Sequence, residues 1–210
     1  MSDLSDLKII TLGLSRVGKT SILNRYFQNK FDETFLTTIG IEYSTQYFKF
    51  DDEKVRINYI DTAGQEIFRS ISSNYLKKAD GVILVFDITE RDSFNLINDW
   101  IEDLNKNNNI NNIGKILLGN KIDLEDIRKI KIEEGKNLAS SINCQYMEVS
   151  AKTGQNVKEA LELIAKDTYQ KYKSFRRKST LSSYSLEKPI KKAKSKKRNK
   201  VSNSKECCLE

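Results

Sequence analysis

Histidine is absent from this 210-residue chain, proline and tryptophan occur once each, and cysteine occurs three times. Without histidine, imidazole acid-base catalysis, serine-histidine triads and histidine-containing zinc sites are excluded. The cysteines are Cys144 alone and the adjacent pair Cys207 and Cys208, which cannot make the spaced framework of a disulfide-stapled protein. Cys144 precedes a short apolar run and reads as an ordinary packed thiol. Long apolar runs are missing as well: stretches such as Val82 to Phe86 fall far short of the roughly 20 residues that a spanning helix needs. The opening MSDLSDL has neither the basic nor the apolar region of a secretory signal, and Ser2 does not fit N-myristoylation, so a cytosolic chain is expected.

Charge divides the chain. Residues 1–170 carry 22 Lys and Arg against 26 Asp and Glu, whereas residues 171–210 carry 14 against 3. The net charge of +7 therefore belongs to the tail, and no nucleic-acid-binding domain is expected. Before the tail, short apolar runs bounded by turn signals alternate with amphipathic segments, the pattern of a parallel sheet covered by helices. Strands are expected at 8–14, 41–50, 54–60, 81–87, 114–119 and 145–149, and helices at about 19–28, 92–105, 133–141 and 156–172 within a total of about five. Asp51, Asp52 and Glu53 mark a hairpin turn between the second and third strands, which predicts one antiparallel edge. The polar run 105–112 (NKNNNINN) reads as a surface loop. The expected architecture is one α/β domain over 1–173, a three-layer P-loop sandwich, followed by a basic tail over 174–210 with too little apolar content to order itself in solution.

Gly13-Leu14-Ser15-Arg16-Val17-Gly18-Lys19-Thr20 fits G-x-x-x-x-G-K-[ST] after a predicted strand and at the start of a predicted helix. Backbone N–H groups from Ser15 to Ser21 and the positive helix end would wrap a phosphate chain, Lys19 would sit against the β- and γ-phosphates, and the Thr20 hydroxyl would reach Mg²⁺. Asn120-Lys121-Ile122-Asp123 ends a later strand. A carboxylate such as that of Asp123 can accept from both the ring N–H and the exocyclic amine of guanine, while adenine presents an acceptor there, so guanine is favoured over adenine. Lys121 would lie along the base, and Ser150-Ala151-Lys152 would offer a backbone N–H to the guanine oxygen. In Asp61-Thr62-Ala63-Gly64-Gln65-Glu66, Asp61 can hold Mg²⁺ through a water, the Gly64 N–H can reach the γ-phosphate and the Gln65 amide can orient a hydrolytic water. Thr38 is the expected second hydroxyl on Mg²⁺, and Phe31 and Phe35 are expected near the nucleotide.

In this order and spacing, GxxxxGKT, TTIG, DTAGQE, NKID and SAK resemble the Ras superfamily of small GTPases over residues 8 to about 173. IGIEY at 39–43, FRSI at 68–71 and LVFDIT at 84–89 are similar to segments of its Rab family. The resemblance implies a six-stranded sheet with five helices, a monomer cycling between GTP and GDP, slow intrinsic hydrolysis, and control of vesicle traffic. It also implies partner proteins: an exchange factor, an activating protein, effectors, an escort protein and a dissociation inhibitor. Ile39, Gly40, Ile41, Glu42, Tyr43, Ile60 and Tyr75 fall on the implied effector surface. Rab proteins usually carry tryptophan where this chain has Ile60, which reduces the aromatic surface shared with Tyr43 and Tyr75. Arg16 is bulky for its place in the loop, and it either points outward or alters hydrolysis. A GTP-binding scaffold that hydrolyses poorly and a Ras- or Ran-type GTPase remain the alternatives.

The terminal Cys207-Cys208-Leu209-Glu210 is similar to Rab tails that receive two geranylgeranyl groups, and it also has the form C-a-a-X with Glu as X. Two lipids, or one with the basic stretch 188–200, would hold the chain on the cytoplasmic face of an endomembrane or the plasma membrane while it exchanges with the cytosol. The competing readings of that stretch are a nuclear localisation signal or nucleic-acid arm, and a solvated spacer.

Overall fold

The computed structural model describes residues 5–33, 41–62, 76–107 and 112–185, with the side chains of the last helix given as far as 177. In chain order the elements are β1 Ser5–Leu12, α1 Lys19–Gln28, β2 Ile41–Phe50, β3 Glu53–Thr62, β4 Gly81–Asp87, α2 Arg91–Asn95, α3 Ile97–Asn107, β5 Gly114–Asn120, a 3₁₀ helix Ile122–Ile127, α4 Ile132–Ser141, β6 Gln145–Val149 and α5 Val157–Ser185. The six strands form one sheet in the order β2-β3-β1-β4-β5-β6, in which β2 runs antiparallel to β3 and every other pairing is parallel. The expected edge and the expected turn are both present. Asp51 and Asp52 form a two-residue loop with φ of 47° and 66°, the double left-handed geometry that matches strand twist in a tight hairpin.

Alternate residues of the central strands feed two cores, as the two-residue period of a strand requires. Leu7, Ile9, Ile57, Tyr59, Ile83, Val85, Ile116 and Leu118 pack with Ile22 of α1 and Leu161, Ile164 and Ala165 of α5. On the other face Ile10, Leu12, Val82, Leu84, Phe86 and Leu117 meet Ile97, Trp100, Ile101 and Leu104 of α3 and Ala139 of α4. Every residue of β4 and β5 is buried, because helices cover both faces there. The result is the three-layer sandwich that the alternation of patterns predicts.

Two helices differ from expectation. The segment expected at 92–105 is two helices joined through Leu96, but the path is almost continuous: Leu96 N–H donates to Asp92 O at 3.1 Å and Trp100 N–H to Leu96 O at 3.3 Å. The last helix, expected to stop at Tyr172, continues to Ser185. Apolar periodicity fades near Tyr172, yet there is no glycine after Gly154 and the only proline is Pro189, so nothing in the backbone chemistry ends the helix sooner. Side chains one turn apart support the extension, with Lys173 Nζ donating to Tyr169 Oη at 3.3 Å and Arg176 Nη1 to Tyr172 Oη at 3.1 Å. Lys173 also pairs with Asp51 at 2.9 Å, which ties the helix to the hairpin turn.

Helix α5 crosses the sheet in close contact. A Cβ on Gly81 or Gly114 would lie 2.3 or 2.4 Å from Thr168 Oγ1, so only glycine admits the helix at those two strand starts. That hydroxyl is fully buried and has no hydrogen-bond partner among the described residues. Removing an unpaired buried hydroxyl without changing side-chain shape relieves a desolvation cost, so Thr168→Val should stabilise the fold by about 1 kcal/mol. Urea unfolding should show a higher midpoint at unchanged slope. A lower midpoint would mean that the hydroxyl does find a partner.

Candidate functional site

Because β1, β3, β4, β5 and β6 are parallel, their C-terminal ends lie together at one end of the sheet, and the strand order switches from one side of β1 to the other between β3 and β4. The phosphate loop leaves β1 there. Gly13 has φ 150° and Gly18 φ 98°; a Cβ on Gly13 would meet Val85 O at 2.2 Å and one on Gly18 would meet Asn120 Nδ2 at 2.2 Å. Gly18 caps α1 in the left-handed conformation with no side-chain cap, so the first turn of the helix keeps its N–H groups for a ligand. Val17 is fully buried and anchors the loop in the core. Arg16, at φ 65°, is exposed on the loop's surface.

Lys19 is only 5 % exposed, and its Nζ donates to Gly13 O and Leu14 O, both at 3.0 Å. Burial lowers its pKa to about 8, against the opposing charge of Asp61. Asp61, at the end of β3, is 2 % exposed and accepts hydrogen bonds from Thr20 Oγ1 at 2.5 Å and Thr11 Oγ1 at 3.1 Å. Burial raises the Asp61 carboxyl above the ordinary range even though both hydroxyls and Lys19 favour the charged form. The sequence-derived trio of Lys19, Thr20 and Asp61 is thus one cluster of a buried cation, a hydroxyl and a buried carboxylate. Thr11 was not anticipated; it lies within β1, and only the β1–β3 pairing brings it to Asp61.

The 120–123 and 150–152 segments also meet. Asn120 is 1 % exposed; its Nδ2 donates to Val17 O at 2.8 Å and its Oδ1 accepts the Ala151 N–H at 3.1 Å. It therefore joins the phosphate loop to the last loop. Ser150 Oγ donates to Asp123 Oδ1 at 2.5 Å and itself accepts the Thr153 N–H at 3.1 Å, which aims the carboxylate. The Ser150 N–H goes to Gln155 O at 3.1 Å, so of the three residues Lys152 is the one whose N–H has no protein acceptor among the described residues. Lys121 adopts φ 72° and its ammonium pairs with Asp87 Oδ2 at 2.6 Å. Asp87, 3 % exposed, is fixed in turn by the Thr89 N–H and hydroxyl at 2.8 and 2.7 Å.

Arg25 and Asp87 are functional neighbours that sequence reasoning missed. From α1, Arg25 donates to Ala151 O at 2.9 Å and Lys152 O at 2.6 Å, holding the last loop from behind, and Lys152 Nζ pairs with Glu33 at 3.1 Å. Arg25 lies in no quoted motif and Asp87 lies in the 84–89 segment with no role read for it; topology brings both to the site. Phe31 is half-buried against the α1 and α5 core. Ile60 requires a correction. It is 2 % exposed and packs into the core with Ile10, Leu12 and Leu76, so it belongs to the interior and offers no effector surface. Its cross-strand partner Tyr43 is 57 % exposed, as expected, with Glu42 exposed and Ile41 half-buried on the same edge strand. Gln65, Gly64, Phe35, Thr38, Ile39, Gly40, Tyr75, Cys207 and Cys208 lie outside the described residues.

Comparison with known proteins agrees with this geometry. The model of the Ras family matches residues 8–170. The chain is 41 % identical over 162 residues to Ras-related protein RABA5c of Arabidopsis thaliana, covering 77 % of this chain and 75 % of that one. It is 42 % identical over 160 residues to Ras-related protein Rab-1 of Theileria annulata, covering 76 % and 72 %. With Ras-related protein Rab-8B of Bos taurus the identity is 38 % over 164 residues, covering 78 % and 79 %. The family model and these relatives lead to one assignment: the chain belongs to the Ras family and is a Rab-like small GTPase.

Proposed function

We propose that the cluster at the ends of the parallel strands binds GTP and GDP with Mg²⁺, and that the two bound forms engage different partners at a membrane. The observation that carries this reading is the Asp123 carboxylate, held by Ser150 and joined through Asn120 to the loop that bears Lys19. Base recognition and phosphate recognition are mechanically one unit, as a protein that must tell GTP from other triphosphates requires. Asp123 accepts from the guanine ring N–H and amine, Lys152 N–H faces the guanine oxygen, and Lys121 lies along the base with its head fixed by Asp87. Adenine would present an acceptor to the Asp123 carboxylate and leave it unpaired.

The hydroxyl of Thr20 and the carboxylate of Asp61 are hard oxygen donors within 2.5 Å of each other, a set that suits Mg²⁺, with Thr38 as a further ligand. When bound, the ion supplies charge neutralisation at the phosphates. The protein's own electrostatics support this partnership: burial disfavours the charge on Lys19 and on Asp61, and a phosphate beside the first and a cation beside the second would restore both. Gln65 orients the hydrolytic water. Tyr43 and Glu42, with Ile39, Gly40, Ile41 and Tyr75, form the surface read by effectors, and an exchange factor, an activating protein, an escort protein and a dissociation inhibitor act on the same cycle. Lipids on Cys207 and Cys208, beside the basic run 188–200, hold the chain at the cytoplasmic leaflet in vesicle traffic.

Calorimetric titration of the purified full chain should show tight binding of GTP and GDP and none of ATP. In Asp123→Asn, guanine affinity should fall by about 100-fold or more, while xanthine nucleotide, which presents an oxygen in place of the amine, should gain. Equal affinity for ATP and GTP in the unaltered chain would overturn the assignment of Asp123. Gln65→Leu should bind GTP as before and hydrolyse it at least about 10-fold more slowly in single turnover, a prediction that an unchanged rate refutes. Mass spectrometry of membrane-associated protein from its own cells should find prenyl groups on Cys207, Cys208 or both; an unmodified pair on that pool would remove the anchor.

A further inference from the structure

The base-reading carboxylate stands on a 3₁₀ helix, Ile122–Ile127, that makes no side-chain cap of its own at its start and buries none of its residues. So exposed a turn needs an external support, and the residue that ends it supplies one. Arg128 has a side chain 13 % exposed, and all five of its N–H groups are placed. Nε donates to Glu125 Oε1 at 2.8 Å and Nη2 to Glu125 Oε2 at 2.6 Å. Nη1 and Nη2 donate to the two carboxylate oxygens of Glu148, both at 2.8 Å, and Nη1 also to Ile130 O at 3.0 Å. Glu148, 15 % exposed, lies on β6 two residues before Ser150, and its Oε1 also accepts the Tyr146 hydroxyl at 2.7 Å. Since Ser150 Oγ donates to Asp123 Oδ1, the path Asp123, Glu125, Arg128, Glu148, Ser150 and back to Asp123 is a closed ring of short chain segments, hydrogen bonds and ion pairs.

We propose that Arg128 is a positioning residue for guanine recognition: by forking onto Glu148 it holds the turn that carries Asp123 against the strand end that carries Ser150, and so fixes the carboxylate that reads the base. The proposal rests on the guanine-nucleotide reading above and extends it to a residue that touches no ligand. Only a guanidinium can do this, because a planar fork is needed to grip two carboxylates and a carbonyl at once. Lysine would keep the charge and lose the geometry. Among the described residues, Glu148 without Arg128 would keep a half-buried charge with no cation on it, and the hydrogen bond from Ser150, the residue just past β6, would be the sole side-chain tie between the turn and that strand end.

The test uses the full chain with Mg²⁺ present and compares Arg128→Ala, Arg128→Lys and Glu148→Gln with the unaltered protein. Affinities for GDP and for inosine diphosphate, which lacks the 2-amino group that Asp123 reads, are measured by competition against a fluorescent GDP analogue, alongside the melting midpoint. Arg128→Ala should release the analogue about 10-fold faster and narrow the preference for GDP over inosine diphosphate about 5-fold. Arg128→Lys should recover only part of that preference. A purely structural role would lower the melting midpoint and weaken both nucleotides equally, so an unchanged preference in the variants overturns the proposal. If Arg128→Ala does not fold, the preference in Arg128→Lys and Glu148→Gln decides by the same criterion. Failure of the unaltered chain to bind GDP is a separate result, which removes the nucleotide reading itself.

Discussion

The side-chain amide of Asn120 is the joint on which the site depends. Its two ends satisfy a carbonyl of the phosphate loop and an N–H of the last loop, and it is almost wholly removed from water. An unpaired group in such a position costs on the order of 1–3 kcal/mol, and here two partners would be orphaned together. The amide can do this only because β5 delivers it between β4 and β6 at the strand ends, with every preceding residue of the strand locked into the core. Gly18 completes the arrangement by leaving room for the amide, since any side chain there would overlap it. The rest of the site is hung from this point: Lys19 follows Gly18 directly, and Asp123 is three residues beyond Asn120.

Around that joint the protein holds charges in pairs that burial alone would oppose. Lys19 and Asp61 are both pushed toward their neutral forms, whereas Lys121 is steadied by Asp87, and Arg128 is held firmly charged, its pKa raised by Glu148 and Glu125. The contrast separates two kinds of site chemistry. At Lys19 and Asp61, where the proposed phosphate and cation would sit, the protein leaves its own charges incompletely compensated; at Lys121 and Arg128 it compensates them with side chains.

Much of this organisation was legible in the sequence because it is local. Each strand period, the Asp51-Asp52 turn, the glycine spacing of the phosphate loop and each short motif is contained within a few residues, and the sheet follows from the alternation of the patterns. What was not legible is long-range. Arg25 reaches residues 151 and 152 from α1, and Asp87 meets Lys121 only because β4 and β5 are adjacent and parallel. Ile60 shows the limit from another side. In strict alternation its face of β3 also carries Arg56 and Asn58, which suggests a wet surface, but the face turns apolar toward the site end, where Ile10 and Leu76 cover it. The extended α5 was missed because its outer turns depend on backbone propensity and the absence of stop signals, which apolar periodicity does not report.

That extension has a mechanical consequence. Helix α5 starts beside the loops at one end of the sheet, passes Gly114 and Gly81 at the other end by Thr168, and continues for 17 more residues, about 25 Å at 1.5 Å per residue. The helix therefore ends beyond the pole opposite the 120–123 and 150–152 loops, and Lys173 braces it against the Asp51 corner. A load applied at Ser185 would therefore act on the domain from the side away from those loops, through the helix and its Lys173 brace.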